Sequence, residues 1–201
     1  TIDEIIYASK EIGSFSIVSP IMEEKNYPNY TIAKGDDSIS KKDQPFKVNS
    51  VDGFAMLLNI SRLSKLEIFK NKKYFDENIF LYLENDDLCK RIIDNHENIY
   101  IVPRSKIKHL GAKAVDEKYE YEIELSRNWH WVWSKFYYNK KHYGLINAYI
   151  KVCPIFISAT LKMLLYFFIN KRKKEIYLFR MLGFLNAAIG RKSFYRPKIN
   201  D

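Results

Sequence analysis

Residues 145–170, LINAYIKVCPIFISATLKMLLYFFIN, constrain the chain more than any other stretch, because a run this long and apolar must be covered by protein or by lipid. Its length matches the roughly 20 residues that cross a bilayer, but Lys151 and Lys162 interrupt it and Pro154 would kink it. A lysine at the membrane centre costs about 2.5 to 3.5 kcal/mol, so two of them disfavour a simple span. The basic run Lys171 to Lys174 follows at once, and each such residue is worth about 1 kcal/mol beside an anionic leaflet. The pattern fits a helical region lying on an anionic membrane surface; the alternative is a small helical bundle with a solvated basic edge. The whole chain points the same way, with 33 Lys and Arg against 24 Asp and Glu and a formal net charge of +9, a balance that favours phosphates, nucleotides or acidic headgroups as partners.

Upstream of this region the pattern is different. Residues 2–10 are expected to be the end of a short helix closed by Gly13, and SFSIVSP a strand stopped by Pro20. A polar stretch from Met22 to Gln44 is expected to be a loop with at most an edge strand. KVNSVDGFAMLLNISRL looks like a buried strand interrupted by Asp52 and Gly53. Leu81, Tyr82 and Leu83 should end an extended segment, and Leu88, Ile92 and Ile93 recur as one face of a helix from Asp86 to His96. NIYIVPRSKIKHLG predicts two short strands around Pro103. Strand, helix and strand in this order argue for an α/β sheet, with a helical, aromatic region beginning near Val115. The start, TIDEIIYASKEIG, has charges where a secretory apolar core belongs. Cys89 and Cys153 form no CxxC, which suggests a reducing, intracellular setting without disulfides or zinc.

The chemistry concentrates in LYLENDDLCKR, where Glu84, Asp86 and Asp87 crowd one strand-to-helix turn. One acidic side chain at a helix start is favoured by the unpaired backbone amides and the dipole, by about 0.3 to 1 kcal/mol. Three repel one another, and such clusters are tolerated where a metal, a cationic group or a proton transfer uses the charge. His109, in IKHLGAKA, is the second candidate. A neutral imidazole facing the same sheet edge, with a nearby carboxylate, can complete an oxygen-and-nitrogen shell suited to Mg²⁺ or Mn²⁺.

VDGFAMLLN, FDENIFLYLENDDLCKRI and IYIVPRSKIKHLGAKA, in this order and spacing, resemble the second half of the catalytic domain of family 2 glycosyltransferases, in the rhamnosyltransferase-like branch that builds bacterial surface polysaccharides. The resemblance covers about residues 12–115. It implies a partial GT-A-like nucleotide-diphospho-sugar transferase sheet over residues 1–115, followed by a helical region over residues 116–201, the part whose apolar and basic pattern fits a membrane surface. It further implies inverting transfer from a nucleotide-sugar donor to a saccharide or lipid-linked acceptor, at the cytoplasmic face of the cell membrane. The acidic residues Glu84, Asp86 and Asp87 would supply the general base, Asp52 and Gly53 would face the acceptor, and His109 would help hold a divalent metal on the diphosphate. Arg91 matches a helix arginine that partners the acidic turn.

The sequence departs from the family at Asn85, where a catalytic Asp is usual and an amide cannot accept a proton. The family's first half, with its metal-binding Asp-x-Asp, is expected to lie before residue 1. Asp36 and Asp37 sit in a loop after the wrong strand to replace it and are taken as solvated. Trp129, Trp133, Phe136 and Tyr137 have helical spacing and are expected to pack; beside Arg127 and Lys135 they also suit sugar stacking or a membrane interface. His130 and His142 are assigned no chemistry. Two other classes compete: a basic nucleic-acid-binding module, which lacks any RRM, KH or zinc-finger signature, and an inactive transferase-derived scaffold, for which Asn85 is the main hint.

Overall fold

The computed structural model describes residues 2–24, 27–32, 43–109 and 116–198. Asp36 and Asp37 lie outside the described residues. The chain divides into two compact units: Thr1–Asp76 with Glu84–Gly111, and Glu77–Leu83 with Ala112–Asp201.

The first unit is mixed α/β, in keeping with the coarse expectation of the sequence. Helix α1 (Ile2–Ile12) ends at Gly13, whose φ of 69° closes the helix in the left-handed conformation that glycine adopts without strain. Strand β1 (Ile17–Met22) pairs in parallel with β6 (Ile99–Ile107) and antiparallel with β5 (Leu57–Leu58). Strand β3 (Phe46–Val48) adds to the free side of β6, giving the order β3-β6-β1-β5. A separate ribbon joins β2 (Tyr30–Thr31) to β4 (Ser50–Val51). Helix α2 (Ile60–Leu63) follows β5, and helix α3 (Glu84–Asp94) precedes β6.

Side chains alternate between the two faces of a strand, and here both faces are buried. Ile17, Ile99 and Ile101 enter the core that holds Leu88, Cys89 and Ile92 of α3. Their neighbours Val18, Tyr100 and Val102 turn the other way, against Ala8, Ile5 and Ile12 of α1. The sheet is thus a middle layer between two helices.

Four expectations are corrected. β1 does not stop at Pro20, and β6 is one strand through Pro103 rather than two. The pairing absorbs both prolines by a shift in register, Pro20 opposite Val102 and then Ile21 opposite Lys106, at the place where the missing N–H groups would break the ladder. Leu81 to Leu83 are not extended: Tyr82 and Leu83 have φ of 68° and 67°, and α3 begins at Glu84, two residues earlier than the apolar spacing indicates.

The second unit is helical. Helices α4 (Glu120–Tyr143), α5 (Leu145–Leu165) and α6 (Lys171–Ala188) pack pairwise around Trp129, Val132, Trp133, Phe136, Val152 and Phe184. The helical spacing of Trp129, Trp133 and Phe136 therefore builds a core. Gly183 is required by close approach, since a Cβ there would sit 2.3 Å from the Trp129 carbonyl oxygen. His130 is fully buried, its ring bonded to Ser193 Oγ at 2.9 Å and the Tyr195 carbonyl at 2.8 Å, and burial lowers its pKa. Residues 77–83 belong to this unit: Ser134 Oγ donates to the Leu81 carbonyl at 2.7 Å, and the Phe80 ring lies 5.0 Å from that of His130.

Candidate functional site

The turn after β4 is held from several sides before any chemistry is considered. The Asp52 amide donates to the Asn29 carbonyl at 2.9 Å, and the buried Asn29 side chain donates to the Pro20 carbonyl and accepts from the Met22 amide, each at 2.9 Å. Ser19 Oγ donates to the Ala55 carbonyl at 2.8 Å. Asn85 Nδ2 donates to the Val51 carbonyl at 2.9 Å, which ties the first turn of α3 to the end of β4. A Cβ on Gly53 would meet the Asn85 Cβ at 3.3 Å, so glycine lets the turn lie directly against that helix start.

These ties bring Asp52, Glu84 and Asp86 into electrostatic range of one another. The Asp86 carboxyl titrates above its ordinary value, chiefly because burial disfavours its charge and then because Asp52 and Glu84 repel it. Asp52 is also raised by partial burial, although the residue as a whole is exposed, and the charge of His109 offsets part of that rise. His109 itself is exposed, its ring stacked on Phe54 with centroids 4.5 Å apart and planes at 3°. The sequence leads one to expect His109 on the same edge as the acidic turn; the structure puts it beside Asp52 and Phe54. Among the described residues, the buried Glu84 Oε2 has no hydrogen-bond partner, an uncompensated acceptor at the helix start.

Asp87 is separated from this group in role. It is fully buried, and Arg91 Nε donates to its Oδ2 at 2.9 Å one turn along α3. Arg91 also donates to the Tyr74 carbonyl and lies 4.7 Å from the centre of the Phe69 ring. A carboxylate sealed in such a pair is placed to anchor the helix, not to reach a substrate hydroxyl. On this geometry the acids available for chemistry are Glu84, Asp86 and Asp52.

Among the described residues, no three His, Cys, Asp or Glu side chains converge as an all-protein metal cage. Mg²⁺ and Mn²⁺ do not require one, because such ions take one or two carboxylates and complete their shell with water and substrate phosphates. Asp52, exposed and with His109 beside it, fits that kind of donor set.

Each unit has a cleft of its own. One of about 340 Å³ is lined by Tyr7, Glu11, Gln44 and Arg104 in the first unit, and one of about 370 Å³ by Trp133, Tyr137, Lys140 and Arg191 in the second. Neither is lined by Asp52, Asp86 or His109.

Sequence reasoning missed Asn29, Ser19 and Phe54. Phe54 adjoins Asp52 and Gly53 and was within reach of a motif reading; Asn29 lies in a polar stretch with no periodicity to mark it as buried. Comparison with protein-family models, with curated proteins and with solved structures returned no match.

Proposed function

We propose that the chain carries the acceptor side of an inverting, GT-A-like glycosyltransferase of the family 2 type, with Asp86 as the general base. The observation that carries this reading is the grouping of Asp86 with Asp52 and Glu84, with His109 beside Asp52 and the Asp86 carboxyl titrating above its ordinary value. A base is most effective when its pKa approaches the working pH, so a desolvated, repelled carboxylate suits the task better than the Asp87 carboxylate paired with Arg91.

In the proposed reaction Asp86 accepts the proton of an acceptor hydroxyl, and the oxygen attacks the anomeric carbon of the sugar. The bond from that carbon to the diphosphate oxygen breaks, and the nucleoside diphosphate departs with the electron pair. One displacement at one face inverts the centre. Asp52, with His109 beside it, would hold a Mg²⁺ or Mn²⁺ ion, which when bound neutralises the charge on the diphosphate, and Asp86 stays free to take the proton. Glu84 keeps the Asp86 proton affinity high, and Phe54 fixes the plane of His109 beside Asp52. The donor is a nucleotide sugar and the acceptor a saccharide or lipid-linked saccharide.

The test is transfer by the polypeptide that contains both halves of the catalytic domain, using nucleotide sugars and saccharide acceptors. Asp86→Asn is expected to lower turnover by about 10²-fold or more with folding retained, the size of a lost general base. Asp87→Asn should instead act through stability. Normal turnover in Asp86→Asn and Glu84→Gln alike would remove the base assignment and favour a catalytically silent scaffold.

A further inference from the structure

Helix α5 has two apolar faces, and the bundle covers one of them. Ala148, Val152 and Ala159 are buried against α4 and α6. On the opposite side Ile146, Ile150, Pro154, Ile157, Leu161 and Leu164 fall on one stripe at helical spacing. Ile146 is 79% exposed, Ile150 64% and Leu161 62%, and the stripe runs on into Phe168 at 94%. A helix apolar on both sides and covered on one leaves a contiguous patch for which water is a poor neighbour.

The charges around the patch identify its occupant. Lys151 and Lys162 are exposed and lie roughly 100° round the helix from the centre of the stripe, on one shoulder of it. At its end the Lys173 ammonium lies 5.0 Å from the centre of the Tyr166 ring and the Lys174 ammonium 5.1 Å from that of Phe167, which puts cations beside the exposed Phe168 tip. The first turn of α6 has no acidic residue, so Lys171, Lys173 and Lys174 stand at the positive end of that helix. Such an arrangement calls for anions next to an apolar medium. A second copy of this chain would bring the same lysines face to face.

We infer that α5 lies in the plane of an anionic membrane surface, with the stripe from Ile146 to Phe168 inserted among the acyl chains and Lys151, Lys162, Lys171, Lys173 and Lys174 among the headgroups. The helix is long and apolar enough to cross a bilayer, with a mean hydropathy of 1.5. Its inner face, however, is committed to α4 and α6, whose sequences are rich in Lys, Arg and Glu and unsuited to hydrocarbon. The inference concerns the helical unit and stands apart from the transferase reading.

Vesicle sedimentation of the full chain tests it, with phosphatidylcholine vesicles compared with vesicles that also contain phosphatidylglycerol. Binding is expected only to the anionic vesicles and should weaken with salt. Each of Lys171→Gln, Lys173→Gln and Lys174→Gln should weaken it by about fivefold. Phe168→Asp and Leu161→Asp, at exposed positions where circular dichroism should report an intact fold, should abolish it. In a Phe168→Trp variant, brominated acyl chains should quench the new indole. Equal binding to neutral vesicles, indifference to these substitutions, or a dimer in solution that the Asp variants dissociate without vesicle binding would each overturn the inference.

Discussion

The side-chain amide of Asn85 donates to the carbonyl of Val51 at 2.9 Å, and the same residue's Cβ is the nearest atom to the position a Gly53 side chain would take. One residue thus closes the start of α3 onto the turn that bears Asp52. This is the position at which the resemblance would lead one to expect an aspartate.

The first prediction follows from the chemistry of that contact. Asn85→Ala removes one donor and should cost about 1 kcal/mol, the net worth of an ordinary hydrogen bond. Asn85→Asp should cost more, about 2 kcal/mol, because a carboxylate cannot donate to the Val51 carbonyl and adds a further charge beside Asp52, Glu84 and Asp86. Urea denaturation of the two variants checks the order. An aspartate variant as stable as the parent would show that the amide is not what holds the turn.

Asp86 predicts a pH dependence whose sign can be worked out. Its carboxyl is raised in the folded state, so the fold binds that proton more tightly than the unfolded chain does. The resulting stability is fully present below the ordinary value of 3.8 and is lost as pH rises through the higher folded value. At neutral pH the charged group therefore opposes folding. Asp86→Asn should raise the Tm at pH 7, and the gain should shrink toward zero as pH falls to about 4. Thermal unfolding across this range decides it; a variant less stable than the parent at pH 7 would contradict the assignment. Together with the expected loss of turnover, this is stability exchanged for function at one carboxyl.

Gly183 carries the third prediction. Any side chain there meets the backbone of α4, with the Trp129 carbonyl oxygen 2.3 Å from the new carbon, and a backbone cannot rotate aside. Gly183→Ala should destabilise the helical unit by about 3 kcal/mol, at the upper end for overpacking, despite the better helix propensity of alanine. Near-ultraviolet circular dichroism, which reports the packed Trp129 and Trp133, provides the readout.

Much of this organisation is legible in the residues. Leu88 and Ile92 mark the buried face of α3 by their spacing, Gly13 marks the end of α1, and the aromatic periodicity from Trp129 to Phe136 marks a core helix. What the pattern hides is tertiary. Pro20 and Pro103 suggest strand ends because proline lacks a donor, yet a register shift between the paired strands accommodates both. Tyr82 and Leu83 carry no turn chemistry, and their left-handed backbone has no local signal. At the acidic edge, the crowding of Glu84, Asp86 and Asp87 is visible at once, but only the fold separates Asp87, sealed with Arg91, from Asp86, set near Asp52. The stacking of His109 on Phe54 joins residues far apart along the chain and could not be read from either motif alone.

The excursion of residues 77–83 into the helical unit has a practical corollary. No single cleavage of the polypeptide yields two intact pieces. A fragment ending before α4 would keep Phe80 and the Leu81 carbonyl while losing His130, Arg196 and Ser134, the groups that receive them. Proteolysis or truncation between the halves should therefore leave a frayed segment just ahead of Glu84, so damage inflicted on the helices would be felt at the doorstep of the acidic edge.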